Sequence, residues 1–349
     1  MPKKAKRGAI DRKAAVFMRV YIAALLLFSI WIILDQFVIP HDYMEMQQAV
    51  FVEWTATIEP SPTPEPATPT PEAASTATAS PTPTASPTPT PTPTPAPTFG
   101  LSKNCYVNGG VRIEIEKESI EVDGGWVTVT TADVRLDSVS RLKTAFARGV
   151  FSTRTSKPST MARENNAIFA VNGDYCGARD YGYVVRNGVL YRDKVDRGAP
   201  LGCIWPYGRM TVVEDQQTVD IEEMVEQGVW QVFSFGPILI DNGEIYRDKT
   251  FWMNHYDHHN PRTAIGMIEP NHYLLLVADG RSKYGIGMTI GEMAEYMLNK
   301  GVTVAYNLDG GGSTTMYFND RVINHPCANR DVIEERSVTD ILYIEGETD

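Results

Sequence analysis

Between Tyr306 and Met316 the chain reads Tyr-Asn-Leu-Asp-Gly-Gly-Gly-Ser-Thr-Thr-Met, residue types better suited to chemistry than to filling a core. Asp309 supplies a carboxylate. Gly310, Gly311 and Gly312 allow positive φ and let backbone N–H groups reach a ligand with no Cβ in the way. Consecutive N–H groups in such a turn form an anion-binding concavity. Ser313 and Thr314 add hydroxyls, and Asn307 adds an amide just ahead of the acid. A tight turn would account for Asp-Gly alone, but not for three glycines followed by Ser-Thr-Thr. No Lys follows the glycines, which excludes a Walker A loop, and the alternating acids of an EF-hand are absent.

Three further polar clusters sit where strands are expected to begin or end. They are Asn172-Gly173-Asp174-Tyr175, Asp279-Gly280-Arg281 and Asn260-Pro261-Arg262-Thr263-Ala264. Taken singly, each reads as a turn or a surface ion pair. Brought together over one sheet they would make a pocket, since loops present side chains above a rigid scaffold. Arg262 is a candidate for gripping an oxyanion with its planar fork. His255, Asp257, His258 and His259 have metal-ligand chemistry, but the stretch reads as a polar loop, and no metal or cofactor is expected. No G-x-S-x-G elbow is present for nucleophilic hydrolysis.

The elements that must position these clusters are strands with a few helices. Arg112 to Ile115, Trp126 to Leu136, Ala167 to Val171, Trp230 to Phe235, Pro237 to Ile240 and Val338 to Ile344 read as strands. Asn187-Gly188 marks a hairpin, and Arg262 to Ile268 should pair with His272 to Ala278 across Glu269-Pro270-Asn271. Asp137 to Arg148 reads as a helix with Leu142, Ala145 and Phe146 on one face. Ser159 and Asp220 read as caps of short helices. The strongest helix signal is Ile290, Met293, Ala294, Met297 and Leu298, opened by the capping box Thr289 to Glu292 and stopped at Gly301. The fold class expected is α/β (mixed α+β): one globular domain over residues 101–349, on a large, mostly antiparallel sheet with a few helices.

What precedes this domain has a different character. The formal net charge is -11, yet seven Lys or Arg against Asp11 give the first 19 residues +6, leaving -17 for residues 20–349. That acidic balance argues against a nucleic-acid partner. Residues 1–19 read as a basic cytoplasmic tail. Residues 20–39, apolar from Val20 to Ile39 apart from Asp35 and Gln36, have the ~20-residue length of a membrane-spanning helix. The charge order predicts a single-pass signal anchor with the N-terminus cytoplasmic and the C-terminal domain extracellular. Residues 40–58 form a juxtamembrane segment, and residues 59–98 are a Pro/Thr-rich stalk of polyproline II character. The four cysteines (Cys105, Cys176, Cys203, Cys327) fall in the exported part, where three disulfide pairings are open.

The exported domain resembles the phosphodiester glycosidase family. The resemblance runs through Ala170 to Tyr175, Ser234 to Pro237, Arg262 to Gly266, Ala278 to Gly280, Glu292 to Glu295, Asn307 to Thr314 and Arg336 to Thr339. Asp174 stands where the family pattern commonly has a second glycine. The resemblance implies a hydrolase that cleaves a sugar from a phosphate at its anomeric carbon, with a phosphorylated glycan or sugar phosphate as partner. It implies Asp309 as catalytic carboxylate, with Asp279 as second choice. Arg262 and the Gly310-Gly311-Gly312-Ser313 turn would bind phosphate. Asn172, Gly173, Asp174, Thr263, Asn307 and Thr314 would position substrate. The expected setting is a surface or cell-wall polysaccharide. The competing readings are a non-catalytic glycan-binding module on a stalk, or a protein that modifies exopolysaccharide by other chemistry.

Overall fold

The computed structural model describes residues 21, 22, 25, 44, 45, 100–247 and 258–346. The basic tail, the juxtamembrane segment, the stalk and the apolar run therefore lie outside the described residues, apart from helical Tyr21, Ile22 and Leu25 and strand residues Met44 and Glu45. His255 and Asp257 are also outside them. Among the described residues no helix is long and apolar enough to cross a membrane.

After two short edge strands, two twelve-residue strands, β1 (Val111–Val122) and β2 (Gly125–Leu136), form a long hairpin. They are followed by β3 (Lys143–Phe146), α1 (Pro158–Glu164) and β4 (Ala167–Asn172). Next come β5 (Val184–Arg186), β6 (Leu201–Ile204), α2 (Ile221–Glu226) and β7 (Gln231–Phe233). The chain continues through β8 (Ile238–Asp241), β9 (Arg262–Glu269), β10 (His272–Ala278), α3 (Ile290–Asn299) and β11 (Val304–Asn307). It closes with β12 (Met316–Phe318) and β13 (Asp340–Glu345).

The long sheet has the core order β8-β11-β9-β10-β2-β1, with short strands extending both edges. A second sheet runs β12-β4-β13-β3, and a third is centred on β5-β7-β6. Their ladders are antiparallel. Every residue of β10 is buried, which needs cover on both faces. On one face α3 packs Ile290, Met293 and Met297 against Leu274, Leu276, Val127 and Val129. On the other, Leu275, Val277 and Ala132 share a core with Phe169, Val171 and Phe233 from the other two sheets. The capping box of α3 forms as expected, with Thr289 Oγ1 accepting from Glu292 N at 3.1 Å. The Asp220 cap of α2 forms as well.

Two expectations fail locally. Asp137 to Arg148 is not a helix but a 3-10 turn, strand β3 and a second short turn. Lys143 to Phe146 instead completes the ladder beside β13, and pairing in a sheet overrides the weak helical periodicity. Ser159 lies inside α1 rather than capping it, because Pro158 sets the start. Its hydroxyl donates to Glu335 Oε2 at 2.6 Å.

The chain ends that matter meet at one side of this stack. Arg262 pairs with Ala278, and Ala264 with Asn307, so the start of β9 and the ends of β10 and β11 lie together. β4 ends alongside them at Asn172, opposite Ile341 of β13.

Candidate active site

Asn172 ties the two sheets together where these strands end. Its Nδ2 donates to the Asp309 carbonyl at 2.6 Å, and its Oδ1 accepts from Thr263 Oγ1 at 2.9 Å and Thr315 N at 3.1 Å. With no solvent exposure and its amide engaged at both ends, Asn172 sets the position of the acid-bearing loop instead of touching a substrate. The backbone repeats the link: Asp309 N donates to Gly173 O at 3.3 Å, and Leu308 N to Thr263 O at 2.9 Å. Gly173 has to be glycine, since a Cβ there would overlap the Asp340 carboxylate.

From Asp309 the chain turns through Gly310 and a 3-10 turn at Gly311–Ser313, with Gly311 at φ 59. Gly310 packs on the Pro261 carbonyl, which accepts Gly311 N at 2.7 Å. Arg336 closes the turn from outside. Its Nη2 lies 3.0 Å from Asp309 Oδ2 and its Nε 3.0 Å from Ser313 Oγ. Burial pushes the Asp309 carboxyl above its ordinary value, with Ser313 and Arg336 working against that rise. The Asp309 side chain keeps 13% exposure and Arg336 43%, so a largely buried acid is paired with a wetter cation. A second guanidinium, that of Arg281, lies over Gly311, 3.2 Å from where a Cβ would stand. Arg281 and Ala328, which abuts Gly312, continue into a cleft of about 660 Å³ that also takes in His259, Asn260, Ile286 and Arg330. That volume suits a small-molecule site.

The other expected residues divide by what they touch. Arg262 donates to Met288 O at 3.0 Å and His258 O at 2.9 Å and is buried, so it pins loops, and the guanidiniums that lie against the triglycine turn are those of Arg281 and Arg336. Asp279 is buried and accepts from Asn324 Nδ2 at 3.2 Å and His325 N at 2.8 Å, with His325 Nδ1 2.6 Å from its other oxygen. It is therefore a positioning residue for His325, not a carboxylate open to substrate. Asn307 donates to Gly236 O at 2.7 Å, and Thr314 lies buried in the turn.

Asp174 belongs to the scaffold. It ion-pairs with Arg186 at 2.6 Å, accepts Ser234 N at 2.8 Å, and shares Arg186 with Asp340 at 3.2 Å, all fully buried. Burial raises the Asp174 carboxyl, but Arg186 and Arg179 outweigh it and hold it below the usual range. Asp340 is pushed up by burial and by the neighbouring Asp174 charge. Asp174, Cys176 and Asp340 come within 4.8 Å of one another, but Arg186 supplies the positive charge that an ion would bring. All four cysteines are free thiols. His259 meets Glu292 at 3.1 Å.

Sequence reasoning named Arg281 only within a polar cluster and Arg336 only within the family resemblance, gave neither a role, and did not single out His325 or Arg186. The signal for Arg281 was its place directly after Asp279-Gly280; nothing local marks His325 or Arg186.

Residues 165–345 match the phosphodiester glycosidase family model. The chain is 31% identical over 193 residues to the SPbeta prophage-derived uncharacterized protein YomE of Bacillus subtilis, covering 53% of this chain and 29% of that protein. It is 42% identical over 65 residues to human N-acetylglucosamine-1-phosphodiester alpha-N-acetylglucosaminidase, covering 19% of this chain and 12% of that enzyme. The chain thus spans less than a third of the length of either relative. The fold is similar to the catalytic domain of the zebrafish enzyme of that name, with a TM-score of 0.57 at 21% identity, covering 69% of this chain and 85% of that domain.

Proposed function

Because the chain belongs to the phosphodiester glycosidase family, we propose that it hydrolyses the bond between a sugar's anomeric carbon and a phosphodiester. The products are the free sugar and a phosphate monoester. The observation that carries the reading is Asp309, held by Arg336 and Ser313 in the same turn that Arg281 covers.

The chemistry follows from that arrangement. As the C–O bond breaks, its electron pair goes to the phosphate oxygen. The leaving monoester has a second pKa near ~6 and departs without a strong proton donor. Arg281 and Arg336 offset the negative charge arriving there. The Asp309 carboxylate faces the positive charge that develops at the anomeric carbon. Water then bonds to that carbon and passes its proton to Asp309. The human relative's name makes an N-acetylglucosamine-1-phosphodiester the first substrate to try. Asp309→Asn should abolish turnover of it while leaving the fold intact; full activity in that variant removes Asp309 from the reaction.

We further propose that the domain is displayed outside the cell, on a membrane anchor at residues 20–39 and a stalk at residues 59–98, acting on a surface or wall polymer. The basic tail, the apolar run and the Pro/Thr composition support this. Full-length protein should stay with carbonate-washed membranes and be shaved from intact cells by added protease. Recovery in the soluble fraction would refute the anchor.

A further inference from the structure

On the reading that this site cleaves sugar phosphodiesters, we infer that Trp126 and Ile286 form a platform for a second sugar, so that the substrate is a chain of sugars joined through phosphate rather than a single capped sugar. The geometry starts from a short ladder outside the main sheet. Val127 and Gly285 form an antiparallel bridge, flanked by Thr128 N to Tyr284 O at 3.1 Å and Ile286 N to Trp126 O at 3.0 Å. Trp126 and Ile286 are therefore cross-strand partners, and Tyr284, two residues along, shares their face.

Both members of the pair face water: Trp126 is 45% exposed and Ile286 37%. Beside them the Tyr284 ring stacks on His325 with centroids 3.5 Å apart and planes 5° from parallel, and buried Asp279 fixes the imidazole. The result is an apolar ledge with a rigid backing. Ile286 also lines the cleft that begins at Arg281 beside the triglycine turn. Ile286 thus shares one cleft with the Arg281 and Arg330 guanidiniums, and Arg281 reaches from that cleft to Gly311 of the turn that bears Asp309. A sugar ring has an apolar C–H face and a hydroxyl rim, which suits an indole that is apolar in body and polar at its edge. Phosphate suits Arg281 and Arg330. A polymer alternating sugar and phosphate presents both in turn, and its next sugar would lie on Trp126.

The test compares two substrates in the full chain: a methyl N-acetylglucosamine-1-phosphodiester, and an oligomer of N-acetylglucosamine units joined by 1-phosphodiester links. Trp126→Ala should raise KM for the oligomer roughly tenfold, leave kcat unchanged and leave the short diester unaffected. Trp126→Phe should restore part of the loss. Equal effects on both substrates, or none on either, would overturn the platform. So would light scattering showing that wild type self-associates and Trp126→Ala does not, since the ledge would then be an interface between copies. Should wild type hydrolyse neither substrate, the hydrolase reading fails separately. The platform is then judged by calorimetric binding of the oligomer, where it stands if Trp126→Ala weakens binding and falls if it does not.

Discussion

Arg336 Nη2 lies 3.0 Å from Asp309 Oδ2, and its Nε 3.0 Å from Ser313 Oγ, so one guanidinium fixes both ends of the triglycine turn and lowers the cost of ionising its acid. Burial acts on Asp309 in the opposite sense. The acid limb of the pH–rate profile should therefore lie above the ordinary carboxylate range, ~4, because only ionised Asp309 can face a cationic centre. Removing the Arg336 charge should carry that limb further up. The profile of kcat/KM for Arg336→Gln checks this, with Arg336→Lys intermediate. A limb that stays in place would show that Asp309 is not the titrating group.

Gly311 sits at φ 59 with the Arg281 guanidinium 3.2 Å from its missing side chain. Gly311→Ala should strain the turn by about 1 kcal/mol and displace Arg281. KM for a phosphodiester should rise, along with a small loss in Tm. Arg281→Ala should reproduce the KM change without the loss in Tm, and a KM unaffected in both variants would leave Arg281 no part in binding.

Arg186 stands buried between Asp174 and Asp340. Arg186→Met should cost about 3–5 kcal/mol at neutral pH, since it strands buried negative charge. The pH dependence has a definite sign. In the wild type the lowered Asp174 contributes stability that is lost as pH falls through its folded value, while the raised Asp340 contributes stability that is lost as pH rises from ~4 through its folded value. Without Arg186 both carboxyls shift upward, so the variant's deficit should shrink on acidification. Urea melts at pH 4.5 and pH 7.5 would show this, and a deficit equal at both would count against the charge argument.

Asn172→Ala removes the amide that holds the Asp309 carbonyl, Thr263 and Thr315. Stability should fall by about 2–4 kcal/mol, from a buried network left partly unpaired. In the fraction that folds, kcat should fall more than KM rises, because the carboxylate is misplaced while the arginines remain. Thr263→Val, which removes one bond of that network, should fall between the variant and wild type.

The antiparallel sheet, the α3 helix with its capping box and the acid-glycine turn were legible in the sequence because each is written locally, in periodicity, capping residues or glycine runs. Which arginine lies over the acid-glycine turn was not. Arg262 and Arg281 both flank strand ends, and only the folded chain brings the Met288 and His258 carbonyls to the Arg262 guanidinium. Asp174 and Asp279 read as site acids because carboxylates are costly to bury. Their partners, Arg186 and His325, lie 12 and 46 residues away, beyond the reach of any local pattern. The β3 segment was misread because apolar residues at 142, 145 and 146 fit a helix as readily as a strand edge.

The Asn172 amide has a mechanical consequence. The same buried bonds that join two sheets also hold the loop bearing Asp309, so the joint cannot loosen without moving that carboxylate. Heating the domain should leave no interval in which it is folded yet silent; catalysis and compactness should disappear at one temperature.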